Sequence, residues 1–84
     1  MNELPLRLFL RRDCEICEAL HALLETDPRT SGRALECIDI DEHTDWRPLY
    51  HYRVPVLVRG TAELWAGPVG DHEHGEFFSR VLAG

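Results

Sequence analysis

Residues 11–17 read RRDCEIC, and this stretch joins two patterns that together decide the fold. Before it, the apolar residues of the segment 5–10 predict a buried β-strand. After it, apolar residues recur at helical spacing and predict an α-helix that begins at Asp13 or Cys14 and ends at about Thr26. The two cysteines of the stretch, three positions apart, therefore lie where a strand passes into a helix.

Two thiols at this spacing and place are close enough to form a disulfide or to bind one metal ion. The first N–H groups of a helix have no intrahelical partners and the helix dipole is positive there, so a thiolate is stabilised. We therefore expect a lowered pKa for Cys14, which makes it the candidate nucleophile, with Cys17 as the resolving thiol. Arg11 and Arg12 would add positive potential, whereas the acidic residues on either side of Cys14 oppose it.

Length and composition limit the classes of protein to consider. The chain of 84 residues is predicted to form a single domain, residues 1–84, and its net charge of −6 argues against nucleic acid or an anionic membrane as a partner. No apolar run approaches the roughly 18 residues of a membrane span, and the first residues lack the pattern of a signal peptide. We expect a cytoplasmic monomer. In a reducing compartment, a Cys-x-x-Cys pair is more often catalytic or metal-binding than a structural staple.

The rest of the chain continues the alternation of strands and helices. Further elements are predicted as a strand at 34–40, a short helix from Thr44 or Asp45 to Tyr50, strands at 54–58 and 63–66, and a final helix capped by Asp71. The final helix is expected to bury one apolar face, formed by Phe77, Phe78, Val81 and Leu82. The order β-α-β-α-β-β-α predicts an α/β fold with parallel strand pairs and an antiparallel hairpin at the edge.

This order resembles the thioredoxin fold in its glutaredoxin-sized form, and in particular the small bacterial glutaredoxin-like proteins. Two motifs carry the resemblance: CEIC at 14–17 and RVPVL at 53–57. The resemblance implies a three-layer structure with a four-stranded mixed sheet. It also implies a cis peptide bond before Pro55, which would face the cysteines, and a backbone at Val54 that pairs with the substrate.

The resemblance further implies a thiol-disulfide oxidoreductase that acts through Cys14 and Cys17 on protein disulfides or glutathione mixed disulfides. Candidate substrate-binding residues are Arg12, Arg53, Val54 and Pro55. No cofactor is expected, and glutathione is a candidate co-substrate. Glutaredoxins hold glutathione with a Gly-Gly loop before the last helix, whereas this chain has Pro68 there, which removes one N–H donor.

Two other functions use the same features. The cysteines could belong to a module that binds zinc or an iron–sulfur cluster, although the histidine spacing is not one of the usual finger patterns. The groove near Val54 could instead bind an extended peptide without chemistry. Among the other candidates, Cys37 is expected to be a small apolar filler of a core strand. His21 is expected to be a packed or solvated helix residue, with tuning of Cys17 as the alternative.

Overall fold

The computed structural model describes residues 4–42 and 54–83 as a four-stranded mixed sheet with two helices. The elements in chain order are β1 (Leu6–Leu10), α1 (Glu15–Thr26), β2 (Leu35–Asp39), β3 (Val56–Arg59), β4 (Ala62–Ala66) and α2 (His74–Leu82). The strand order is β2-β1-β3-β4, with β1 parallel to β2 and the other two pairs antiparallel. The predicted α/β fold with a mixed sheet is confirmed. The prediction of more than one parallel pair is wrong, because β3 enters the sheet antiparallel to β1 and only β1 and β2 of the described strands pair in parallel. The helix predicted up to Tyr50, and with it the third layer, lies outside the described residues.

The sheet buries apolar side chains on both faces because successive residues of a strand point to opposite sides. Both helices pack on one face, where their buried residues meet those of the strands. This cluster consists of Leu6, Leu8, Leu20, Leu24, Leu57, Trp65, Phe77, Phe78 and Val81. The other face buries a smaller cluster formed by Phe9, Ile40, Val56 and Val58. The sheet therefore carries a cluster of buried side chains on each of its two faces.

β3 begins at Val56, two residues later than the sequence predicts. Pro55 has no N–H to donate to a neighbouring strand, so regular pairing starts after it. The pairing of Phe9 with Val56 then brings the start of β3 to the end of β1. Because of this register, Pro55 lies at the same end of the sheet as the end of β1, and from there the chain continues to Cys14.

α2 begins at His74, so the prediction that Asp71 caps the last helix is wrong. Residues 71–73 form a turn instead, and the Glu73 carboxylate accepts the backbone N–H of Gly70 at 2.9 Å. The prediction of a single buried face holds for three of its four residues, whereas Leu82 is 36% exposed at the end of the helix.

Arg59, at the end of β3, anchors the C-terminus of α2. Its guanidinium donates to the carbonyl oxygens of Val81 at 2.6 Å and Ala83 at 3.3 Å. The last carbonyls of a helix have no intrahelical partner, so these bonds satisfy groups that would otherwise need water. The contact fixes the position of α2 relative to the β3–β4 hairpin.

The end of α1 gives a prediction about pH. The Asp27 carboxylate accepts the backbone N–H and the Nε–H of Arg29, each at 2.9 Å. These bonds, above all those from the guanidinium, lower the pKa of Asp27 from 3.8 to about 2. A carboxylate whose pKa is lower in the folded than in the unfolded chain stabilises the fold fully above the unfolded pKa. We expect this contribution to be lost as pH falls from about 4 to about 2.

Arg29→Gln should therefore raise the pKa of Asp27 towards 3.8, as measured by NMR titration of the side-chain carboxyl carbon. Arg80→Gln is the matched control, because Arg80 pairs with Glu76 at 2.6 Å rather than with Asp27. An Asp27 pKa near 3.8 in the unsubstituted protein would contradict the assignment.

Candidate active site

Cys14 is the N-cap residue of α1, and its sulfur lies at the positive end of the helix. Its backbone is extended, and the Sγ accepts the backbone N–H of Cys17 at 3.2 Å. Asp13, at φ 54°, adopts the left-handed conformation that turns the chain from β1 into the helix. Sulfur thus takes the place that a serine or aspartate oxygen has in most helix caps. A negative charge on this sulfur would be stabilised by the same N–H and by the helix dipole.

Cys14 and Cys17 form a disulfide in the structure, with their Cα atoms 5.2 Å apart. Their exposure differs sharply: Cys14 is half-buried, whereas Cys17 is 1% exposed. A partner arriving from solvent therefore meets Cys14, and Cys17 lies beneath it within bonding distance. This asymmetry fits a nucleophile and a resolving thiol, and the assignment of those roles stays a prediction.

Val54 and Pro55 lie beside the same end of the sheet. The Val54–Pro55 peptide bond is cis, Pro55 is buried, and its carbonyl oxygen accepts the N–H of Gly67 at 2.8 Å. The register of β1 and β3 places these residues at the end of the sheet where β1 leads to Cys14. Cys14 and Val54, 40 positions apart in the chain, are thus brought to one end of the sheet. Arg53 lies outside the described residues, so its predicted role in substrate binding stays a prediction.

Arg11 and Arg12 are paired with acidic side chains after β2. Ion pairs join Arg11 to Asp41 at 3.1 Å and Arg12 to Asp39 at 3.3 Å. A further pair, from Arg12 to Glu42 at 2.7 Å, is the main cause of a raised Arg12 pKa. The acids offset much of the positive potential that the sequence suggested these arginines supply to the first cysteine. Substrate binding by Arg12, whose side chain is 74% exposed, stays a prediction.

Cys37 is not a core residue, so that prediction is wrong. Its thiol is exposed on β2, and its Sγ lies 3.4 Å from Nε2 of His21. The same His21 nitrogen lies 2.5 Å from the Glu25 carboxylate. β2 is an edge strand, and a cysteine there is less covered than one in a central strand. The His21 side chain contacts Cys37 and Glu25. No contact with Cys17 supports the alternative that His21 tunes that thiol.

Cys37 is expected to be a slow nucleophile. Partial burial of the thiol, and secondly the negative charge of Glu25, raise its pKa, and the thiolate is the reactive form. In the oxidised protein it is the one free thiol, so alkylation by iodoacetamide at pH 8 can be followed by mass spectrometry. We expect a rate several-fold below that of a cysteine in an unstructured peptide.

Glu25→Gln should accelerate this alkylation, because it removes the charge that opposes the thiolate. Glu18→Gln, on the same helix, is the matched control and should leave the rate unchanged. A Cys37 rate equal to that of the peptide would contradict the prediction.

An apolar groove adjoins the cysteine pair, and sequence reasoning missed it. It is a cavity of about 200 Å³ between α1 and the segment that leads into α2. Its walls are formed by Ile16, Ala19, Leu20, Leu23, Pro68, Val69 and His74. Trp65 supports the second wall, since its Nε1–H donates to the carbonyl oxygen of Pro68 at 3.2 Å. The sequence signal was Ile16, which continues the apolar stripe of α1 but is 43% exposed.

Within residues 4–42 and 54–83, no group of three or more His, Cys, Asp or Glu side chains is arranged to hold a metal ion. No helix in these ranges has the length and apolar character needed to cross a membrane.

Comparisons with known proteins agree with this architecture. Two solved structures are similar to the chain: the X-ray structure of target protein XcR50 from X. campestris and the solution NMR structure of protein Ne2328 from Nitrosomonas europaea. The first is 25% identical with a TM-score of 0.64, over 88% of this chain and 95% of that one. The second is 29% identical with a TM-score of 0.69, over 92% of this chain and 93% of that one.

No curated protein matches the chain. Residues 5–80 match the sequence profile of the glutaredoxin-like domain (DUF836). That match spans nearly the whole chain, including both motifs on which the resemblance was based. The chain therefore belongs to the glutaredoxin-like domain family, and its fold is the glutaredoxin-like form of the thioredoxin fold.

Proposed function

We propose that this chain is a thiol-disulfide oxidoreductase in which Cys14 is the nucleophile and Cys17 the resolving thiol. The observation that carries the proposal is the cap of α1, where the Cys14 Sγ accepts the Cys17 N–H at 3.2 Å. A sulfur that already accepts a backbone hydrogen bond at a helix N-terminus is stabilised as a thiolate. The family membership of the chain supports the same class of chemistry.

The proposed reaction transfers two electrons from the protein dithiol to a substrate disulfide. The Cys14 thiolate attacks one sulfur of the substrate, the substrate S–S bond breaks, and one substrate thiolate leaves. Cys17, as its thiolate, then attacks the Cys14 sulfur of the mixed disulfide. The second substrate thiol leaves, and the protein is oxidised to the Cys14–Cys17 disulfide. An external thiol reductant is needed to return the protein to the dithiol.

The remaining predicted site residues take supporting roles in this proposal. Pro55 and Val54 form one side of the site, with the Val54 backbone offered to an extended substrate chain. Arg53 is proposed to reach a carboxylate of the substrate, and Arg12 is proposed to belong to the substrate-binding surface. The partner is a disulfide-containing protein or a glutathione mixed disulfide, and no cofactor is required. We also propose that the protein acts as a monomer in the cytoplasm.

The test is the reactivity of Cys14 as a function of pH, in a Cys37→Ser background so that two thiols remain. We expect the pKa of Cys14 to lie below the free-thiol value of about 8.5, and a Cys14–Cys17 disulfide to form reversibly against a glutathione redox buffer. A pKa at or above about 8.5 with no such disulfide would overturn the proposal. Metal analysis of the purified protein belongs to the same experiment, because zinc or iron stoichiometric with the chain would favour the metal-binding alternative.

A further inference from the structure

We propose that the groove beside the cysteine pair binds an apolar side chain of a protein substrate whose disulfide lies in a positively charged segment. On this proposal the site selects basic protein disulfides over glutathione disulfides. The inference rests on the proposed function, since it names the substrate class of that same site. Three observations carry it: the position of the groove, its lining and the charge around it.

The groove runs along α1 from Ile16, the residue between the two cysteines in the chain, although neither cysteine lines it. Ile16, which forms its near end, is one residue from Cys17 and two from Cys14. The Ile16 side chain is 43% exposed although it continues the buried stripe of α1. The proposal is that a substrate whose sulfur reaches Cys14 lays a neighbouring residue of its own chain on this groove.

The size and lining of the groove suit one apolar side chain. A cavity of about 150 Å³ lined by apolar side chains holds a molecule of benzene, and this groove measures about 200 Å³. Apart from His74, its lining side chains are hydrocarbon. A leucine-sized or phenylalanine-sized side chain from the substrate would remove that surface from water.

The two segments that form the walls carry acidic residues and no arginine or lysine. Residues 13–28 contain five acidic residues and residues 67–79 contain three, of which Asp27 and Glu76 are paired with Arg29 and Arg80 just beyond these segments. Glu15 and Glu18 lie in the first turn of α1, exposed and with no ion-pair partner among the described residues. The charge beside the groove is therefore negative and complements a basic partner.

Glutathione does not match this surface. It carries two carboxylates and one ammonium, and the walls of the groove supply no arginine or lysine to bind them. The described arginines nearest the first cysteine, Arg11 and Arg12, are paired with acids after β2. Pro68 also removes a backbone donor from the wall that faces α1.

The proposal is tested by single-turnover oxidation of the reduced protein with a set of symmetric disulfides. The set comprises a peptide with arginines and a leucine beside its cysteine, the same peptide with alanine for leucine, the same peptide with glutamates for arginines, glutathione disulfide and hydroxyethyl disulfide. Each second-order rate constant is divided by that for dithiothreitol with the same disulfide. This ratio removes differences in leaving-group reactivity between the substrates.

We expect the arginine–leucine peptide to exceed the glutamate–leucine peptide and glutathione disulfide by about ten-fold or more at low salt. The charge preference should shrink as ionic strength rises, because salt screens exposed charges. The leucine peptide should exceed the alanine peptide by about ten-fold. In Ala19→Phe the new ring should occupy the groove. The ratio of the rate constants for the leucine and alanine peptides should then fall towards one.

Ala22→Phe is the matched control, because Ala22 is exposed on the same helix but does not line the groove. It should retain the leucine preference. Equal normalised rates for all the disulfides, or a leucine preference that Ala19→Phe leaves intact, would overturn the inference while the proposed chemistry stands. Failure of the protein to reduce any of them, hydroxyethyl disulfide included, would overturn the proposed function and the inference together.

Discussion

Replacing Cys14 with serine is expected to lower the rate of disulfide reduction by about a thousand-fold or more, to the level of the reaction without protein. A serine hydroxyl stays protonated near neutral pH, so the helix cap that stabilises a thiolate has no nucleophile to stabilise. The measurement is turnover of hydroxyethyl disulfide with an excess of external thiol. Cys37→Ser is the control and should retain full activity, since Cys37 lies on β2 beside His21.

Cys17→Ser should behave differently from Cys14→Ser. The first exchange needs Cys14 alone, so the mixed disulfide between Cys14 and the substrate should form and then persist, because the resolving thiol is absent. Mass spectrometry of the intact protein would detect this adduct at one substrate per chain. An active Cys14→Ser protein, or adduct formation at Cys37, would contradict the assigned roles. If Cys14→Ser instead left partner binding and the cellular phenotype unchanged, the hypothesis of a non-catalytic peptide-binding protein would gain support.

The local features of the fold could be predicted because each one depends on residues that are neighbours in the chain. The apolar run of β1 is followed directly by the cysteine pair and the stripe of α1, so strand, site and helix follow from one stretch. The helix α1 begins at Glu15, one residue after Cys14 and two after Asp13, the two starts that the sequence predicted. The order of strands and helices predicted the parallel pair of β1 and β2 and the antiparallel hairpin of β3 and β4, but not the antiparallel pairing of β1 with β3.

Two of the features that could not be predicted depend on contacts between distant segments, and a third depends on a competition between neighbouring residues. The exposure of Cys37 follows from the edge position of β2, and nothing in residues 34–40 states which strand will be at the edge. The groove needs α1 to meet the segment at Pro68, which Trp65 holds through its indole N–H. The late start of α2 reflects a bond between Glu73 and the Gly70 N–H, a local choice that competes with capping by Asp71.

Phe77→Ala is expected to destabilise the protein by about 3–5 kcal/mol. Phe77 is fully buried and makes edge-to-face contacts with Trp65 at 5.4 Å and Phe78 at 5.0 Å between ring centroids. Its ring therefore joins α2 to β4 in the larger core cluster. Small domains have total stabilities of about 5–15 kcal/mol, so this loss is a large fraction of the whole.

The measurement is urea unfolding followed by far-UV circular dichroism, with the Cys14–Cys17 disulfide intact in every sample. A slope of about 1 kcal/mol per molar urea places the Phe77→Ala midpoint about 3 M or more below that of the unsubstituted protein. Leu82→Ala is the matched control on the same helix, because Leu82 is 36% exposed and should change the free energy of unfolding far less. Equal shifts for the two variants would mean that α2 does not pack through Phe77.

The wall of the groove depends on the same packing, since Trp65 contacts Phe77 with its ring and Pro68 with its N–H. A folded Phe77→Ala protein should therefore also lose part of its preference for leucine beside the substrate cysteine.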